Sequence, residues 1–411
     1  MSKISRFWLE MALLSIFIQQ VIVLKTISPV KLYMLFVLVF CFVLVFLKNK
    51  IKIKYMMDFE VLWVFFLIGN MLTFWYADNL SSSLSLFFGC ILLLFTFYAY
   101  RTIFQSFDNK ILVETMLRFY YYFLLVSLVF YAFGMYVFFV RGEQPGGDGY
   151  AARSLYGVLF EGSSPRLRGI SDSPNNFGLF TIIGYSIFLF LENNKVKKIA
   201  FGTMFLLASA LSMSITLIIA MATITIAYLI KSRTVTIKTV ILFVLFFILL
   251  LSNDYVFNLL ANRLDHLITG SGRYHLWSVS LDAIAEKPFF GYGINQAREL
   301  LTDVRGYKTT HNAFLNVWME GGIVLLIIHL FMWIGIFFRT FKSYVRSEIS
   351  SFLFPLSIGM FIFSMSNVTI YTEVFTLYLV VCSSFLIKSN GAKVEKDKYV
   401  WRISHRNNAK L

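Results

Sequence analysis

Charged side chains are scarce in this chain. They make up 14% of its 411 residues, where a soluble domain carries roughly a quarter. That shortage excludes a cytosolic multidomain enzyme, and the apolar excess excludes a disordered chain. Cysteine is nearly absent: Cys41, Cys90 and Cys382 each fall inside apolar runs and read as small buried hydrophobes, not as a disulfide framework or metal ligands. His266, His275, His311, His329 and His405 form no HxxxH or HExxH pattern, and no Asp-x-Asp stands in an outer loop near a span end. Neither a zinc site, nor a metal-chelated nucleotide sugar, nor any resident cofactor is expected. The apolar run after Arg6 lacks a small-residue cleavage site, so the first segment reads as a retained span.

Apolar residues are what the chain has in excess, with 58% hydrophobic residues, 18% aromatic ones and a mean hydropathy of +0.72. A spanning helix needs about 20 mostly apolar residues. Twelve segments qualify, near 7–24, 29–47, 59–76, 83–100, 119–140, 175–191, 199–211, 214–230, 236–252, 314–338, 351–367 and 373–388. The expected fold is all-α, a polytopic membrane protein with about 12 transmembrane helices. The stretch 199–230 could also be one long tilted helix, but dividing it at Ser209–Ser214 keeps later basic clusters on one side of the membrane. With a cytoplasmic N-terminus, most of the 37 basic residues then face inward, as the positive-inside bias requires.

The chain accordingly divides into N-terminal spans (1–140), a first large outer loop (141–174), central spans (175–252), a second large outer loop (253–313), C-terminal spans (314–388) and a basic cytoplasmic tail (389–411). A net charge of +15 invites a nucleic-acid partner. Its distribution argues against one, because acids balance bases in each outer loop and the excess lies inside.

Three places put a basic or polar side chain at a helix start. In Arg166-Leu-Arg168-Gly-Ile-Ser-Asp-Ser-Pro174-Asn175-Asn176, Ser173 is an N-cap and Pro174 suits the first turn. Arginines upstream of such an end can hold a phosphate or carboxylate, or can pair with Asp172 or Glu161 to fold the loop. In Gly270-Ser271-Gly-Arg273-Tyr-His275-Leu-Trp277, Ser271 would cap a helix whose apolar face carries Tyr274, Trp277, Leu281 and Ile284. That helix would lie on the membrane, where Arg273 either takes a ligand or anchors to lipid headgroups. In Thr309-Thr310-His311-Asn312, threonine would cap the tenth span and place His311 in its first turn, kept neutral by the positive helix end. Asn312, Asn316 and Glu320 recur every four residues as a polar stripe. Such groups at membrane depth line a cavity or satisfy one another.

Arginines that cradle a diphosphate and a neutral histidine that accepts a hydroxyl proton suit metal-free transfer from a lipid-diphosphate-linked group. Twelve spans with intramembrane polar residues would equally suit a polysaccharide flippase or other transporter. The two halves show no matching broken-helix signatures, which favours catalysis.

The run Arg166-Leu-Arg-Gly-Ile-x-x-x-Pro-Asn175, then Gly272-Arg273-x-x-x-Trp277, Lys287-Pro-Phe-Phe-Gly-Tyr-Gly293, His311-Asn312 and Glu320-Gly-Gly-Ile323 resembles the O-antigen ligase and polymerase superfamily. The resemblance covers roughly residues 160–340. It implies a GT-C-like fold in the bacterial inner membrane, both termini cytoplasmic and a periplasmic active site. It further implies a metal-independent inverting glycosyltransferase of lipopolysaccharide biosynthesis. Its partners would be an undecaprenyl-diphosphate-linked glycan donor, an acceptor, membrane lipid and a chain-length regulator. By position, His311 matches the catalytic histidine and Arg273 a diphosphate-binding arginine. Arg166 and Arg168 compete for another, while Asn175, Asn312, Asn316 and Glu320 would support them. The family's Ser-Arg pair between spans seven and eight is replaced here by Ser212-Met-Ser214. The long first loop, with two arginines near the Pro-Asn helix start, favours the polymerase over the ligase.

Overall fold

The computed structural model describes residues 6–18, 22–25, 29–46, 56–145, 154–161, 164–232, 273–301 and 309–389. The expected ninth span, residues 253–272 including Ser271, and the tail from 390 lie outside the described residues.

In hydrocarbon every backbone polar group must be satisfied within the protein, and the apolar runs meet that demand as helices. Asp58–Tyr76, Leu80–Gln105, Asn109–Val140, Pro174–Leu191, Ile215–Ser232 and Ala313–Arg346 are each long and apolar enough to cross a membrane. Arg6–Phe17, Leu32–Phe46, Lys195–Leu211, Leu353–Ser364 and 373–389 are shorter. The architecture is that of a mostly helical polytopic membrane protein.

The stretch 199–230 is two helices and not one. Lys195–Leu211 and Ile215–Ser232 part at Ser212–Ser214, where Met213 has a left-handed φ of 51° and the Ser212 hydroxyl bonds back to the Ser209 carbonyl at 2.7 Å. Serines that compete for backbone groups favour such a break.

Among the described residues, two small antiparallel sheets qualify the all-α expectation. Ile22–Lys25 pairs with Pro29–Lys31, so the first two helices are shorter than their apolar runs. β-branched residues favour the extended state there, and proline is tolerated on an edge. Within the first outer loop, Ser154–Leu155, Val158–Glu161 and Ser164–Leu167 form a three-stranded sheet.

Ala313–Arg346 packs along Asp58–Leu72 and Leu353–Ser364, with Trp333 buried among Phe337, Phe361, Phe375 and Tyr378. Polar contacts sort the helix ends onto two faces. On one, Arg339 meets Asp58 at 3.1 Å and Lys231 donates to the Tyr344 carbonyl at 2.7 Å. On the other, Lys31 lies 3.3 Å from Glu373 and 3.5 Å from Asp172. The candidate residues belong to this second face.

Candidate functional site

The three-stranded sheet is held to the end of the helix Asn109–Val140. Gly157 sits so close to the backbone of Phe130 and Tyr131 that a Cβ would lie 2.6 Å from the Tyr131 nitrogen, and Phe160 packs on Phe138 at 4.4 Å. Glu161 faces Ser164 and Leu159 faces Arg166 across the hairpin. Residues two apart share a face, so Glu161 and Arg166 are diagonal neighbours. The Arg166 guanidinium donates to Glu161 Oε2 at 2.7 Å and, through Nε, to the carbonyl of Ser212 at 3.0 Å. Arg166 thereby reaches the turn between the seventh and eighth helices, where the expected third arginine is missing. Arg168 points elsewhere, with Nε and Nη2 both donating to the Tyr156 carbonyl at 3.0 and 2.8 Å. Of the two arginines left open by the sequence, Arg166 stands with the other candidates and Arg168 braces the sheet.

Ser173 caps the helix Pro174–Leu191 by accepting from the Asn176 amide at 3.1 Å, with Pro174 in the first turn as expected. Asn175 is half-buried in that turn, while Asn176 donates to Asp172 at 2.6 Å.

The helix Arg273–Glu286 buries only part of its expected apolar face against protein. Its buried side chains are Leu276, Ser280 and Ile284, whereas Tyr274 and Leu281 are exposed. Its inward face packs on protein, in a small core that joins Leu276 and Ile284 to Tyr292, Ala297, Leu301 and Met319, while Tyr274 and Leu281 stay outside that core. The reason is that Trp277, four residues after Arg273, is drawn inward. Its indole donates to the carbonyl of Thr310 at 3.0 Å.

The start of the helix Ala313–Arg346 also differs. Its cap is Asn312, whose side chain accepts from the amides of Phe314 and Leu315 at 2.9 and 3.2 Å. Asparagine outranks threonine as a cap, so the helix begins two residues later than expected and His311 precedes it. Thr310 instead closes a local turn, its hydroxyl donating to the Asn312 carbonyl at 2.6 Å. His311 is left-handed, with φ 51°, a conformation that costs a side chain about 1–3 kcal/mol and gathers at functional sites. Tyr156 and Met213, which flank the arginine-bearing hairpin and the Ser212 turn, are left-handed too.

His311, Arg273 and Glu161 lie close enough for their charges to interact. Burial first, then repulsion by Arg273, lowers the imidazole's pKa to about 4, against an opposing pull from Glu161. The ring is therefore neutral at pH 7, but the helix end is not what makes it so. Asn316 accepts from the Thr310 amide at 3.4 Å, and Glu320 accepts from the Ala297 amide at 3.3 Å while its other oxygen is a buried atom lacking a partner among the described residues. The polar stripe thus runs behind the histidine turn as scaffolding.

Glu320 is followed by a break in its own helix. Gly322 has φ 68° and ψ −173°, and the two carbonyls and one amide freed there find partners in the segment 288–293. Tyr292 N donates to Met319 O at 2.9 Å, Gly293 N to Glu320 O at 2.8 Å, and Ile323 N to Pro288 O at 3.0 Å. A Cβ at Gly322 would collide with the Phe289 carbonyl. The Lys287-to-Gly293 motif and the Glu-Gly-Gly motif are two sides of one backbone joint.

Residues 198–330 match the family model described as O-antigen ligase. That segment, about a third of the chain, is similar to the O-antigen ligase family. The ComP-specific O-oligosaccharyltransferase of Acinetobacter baylyi (strain ATCC 33305 / BD413 / ADP1) is 24% identical to it over 246 residues, 55% of this chain. The match covers 44% of that relative, so the chain spans less than half the length of the curated protein it resembles. The region matched by the family model holds Arg273, His311, Asn312, Asn316 and Glu320, whereas Arg166 and Glu161 come from the sheet that precedes it. Sequence reasoning weighed Glu161 only as a loop-folding partner. The signal that could have placed it is the apolar run Val158-Leu-Phe160 followed by Gly162-Ser163 and Pro165, a hairpin pattern that sets Glu161 diagonally opposite Arg166.

Proposed function

We propose that the chain is a glycosyltransferase that moves a glycan from an undecaprenyl-diphosphate-linked donor to a hydroxyl acceptor. The reaction runs on the face that carries His311, the periplasmic face of a bacterial inner membrane. The acceptor oxygen attacks the anomeric carbon, and His311 takes the hydroxyl proton. A new carbon–oxygen bond forms as the bond to the diphosphate breaks, with inversion. Arg273 and Arg166 stabilise the departing diphosphate by charge-assisted hydrogen bonds, so no step calls for a metal. The observation that carries this reading is the convergence of three separate segments, the hairpin, the Arg273 helix and the His311 turn, on one neutral histidine that feels both Arg273 and Glu161, the latter paired with Arg166.

The acceptor separates two forms of the reaction. A polymerase joins repeat units on the carrier, and the arginine-bearing first loop favours it. A ligase moves finished glycan to another molecule such as lipid A core. The O-antigen ligase family match and the oligosaccharyltransferase relative favour that second form. Lipopolysaccharide gels of a deletion strain decide between them: core carrying one repeat unit indicates a polymerase, and bare core with polymer retained on the carrier indicates a ligase. His311→Ala should reproduce the deletion. A normal ladder in either strain would sink the catalytic reading, and repeat units trapped on the cytoplasmic face would indicate a transporter.

A further inference from the structure

Glu161 stands between the two parts of the site. Its carboxylate is 2.7 Å from Arg166, and its side chain is 45% exposed where that of Arg166 is 11% exposed. The guanidinium is thus sunk and anchored to the Ser212 carbonyl, while the carboxylate is the partner that can move. Among the described residues, the charged groups that act on the His311 imidazole are Arg273, from the helix Arg273–Glu286, and Glu161 itself, from the hairpin. A carboxylate and a diphosphate make the same kind of contact with a guanidinium.

We infer that Glu161 is a positioning residue that holds the diphosphate's place on Arg166 in the empty site and passes to His311 when the donor binds. Resting on the lipid-diphosphate reading, this makes the base dependent on its substrate. Without donor, Arg273 repels the protonated ring and Glu161 is committed to Arg166. With donor, the diphosphate neutralises Arg273 and displaces Glu161, whose charge then stabilises the imidazolium that forms as His311 takes the acceptor's proton. A base works best when its pKa lies near the working pH. A neutral ring with a pKa of about 4 is a weak base until these two changes raise it. Early proton uptake, before an acceptor is in place, is avoided by the same arrangement.

The test uses the full chain in detergent with inorganic pyrophosphate as probe. Modification of His311 by diethyl pyrocarbonate, followed peptide by peptide with mass spectrometry across pH, reports the ring's protonation without any need for turnover. Pyrophosphate should raise the His311 midpoint in the wild type by about one unit or more. In Glu161→Gln the rise should be at most half as large. Glu161→Asp, which keeps the charge on a shorter arm, should recover most of it. A rise of wild-type size in Glu161→Gln overturns the inference while leaving the diphosphate reading standing, and so does equal loss in the Gln and Asp variants. If pyrophosphate leaves the wild-type midpoint unmoved, the diphosphate reading itself fails and the inference falls with it.

Discussion

The indole nitrogen of Trp277 donates to the carbonyl oxygen of Thr310 at 3.0 Å, so the helix that carries Arg273 is tied to the residue immediately before His311. One turn of helix separates Trp277 from Arg273. The spacing between the arginine and the histidine is therefore set by a hydrogen bond between their neighbours.

Trp277→Phe keeps the ring volume close but removes that donor. An unpaired buried carbonyl costs about 1–3 kcal/mol, and misplacing a reacting group by an ångström costs on the order of a hundredfold in rate. We expect a melting temperature a few degrees lower and glycan transfer reduced at least tenfold, read from gels and from a detergent melting curve. Full activity in Trp277→Phe would mean the spacing is set elsewhere.

Gly322→Ala tests the joint at the helix break. Its positive φ is strained for alanine, and the added carbon meets the Phe289 carbonyl. Destabilisation by at least about 2 kcal/mol is expected. Gly202→Ala is the control, since nothing lies within 4 Å of its added carbon and alanine favours helix by about 1 kcal/mol. Equal melting of the two variants would refute the joint.

The low pKa of His311 has a pH signature in stability. Well above pH 6.5, the unfolded value, the ring is neutral in both folded and unfolded chains, so it contributes no pH dependence. As pH falls from there toward about 4, the unfolded ring takes up a proton and the folded one does not, so stability is lost across that window. If His311 is the base proposed above, kcat/KM, which reports the free enzyme, should decline only as pH nears the folded value, and kcat should decline at higher pH because bound donor raises the ring's pKa. Melting curves of wild type and His311→Gln between pH 4 and 7 should diverge, with the variant flatter. Parallel curves would contradict the burial of the ring.

Glu320 is buried, with one oxygen bonded to the Ala297 amide and the other a buried atom lacking a partner among the described residues. Glu320→Gln retains an acceptor for that amide and should be neutral or slightly stabilising. Glu320→Leu leaves the amide unsatisfied and should cost about 1–3 kcal/mol. A Gln variant as unstable as Leu in the same melting assay would show that the charge itself is needed.

Much of the scaffold was legible because its signals are local. The Ser173-Pro174 helix start depends on residues that touch within one turn, and the break at Ser212–Ser214 on serines competing for nearby carbonyls. Three features were not legible, each decided by long-range contacts. Asn312 outcompetes Thr310 as cap once Thr310 is held by Trp277 and Asn316. The Arg273 helix buries Leu276 and Ser280 because Met319 and Tyr292 offer it a protein surface. Arg166 and Arg168 differ by two positions on a hairpin that places one against the Ser212 turn and ties the other to the Tyr156 carbonyl. Residue types alone carry no sign of that choice.

The joint at Gly322 also has an order in time. Residues 288–293, which receive the carbonyls of Met319 and Glu320, are synthesised before the helix that needs them. A ribosome feeding this chain into the bilayer thus delivers the receiving segment before the helix that docks on it. Circular permutants that place 288–293 after the helix would have to insert those carbonyls bare.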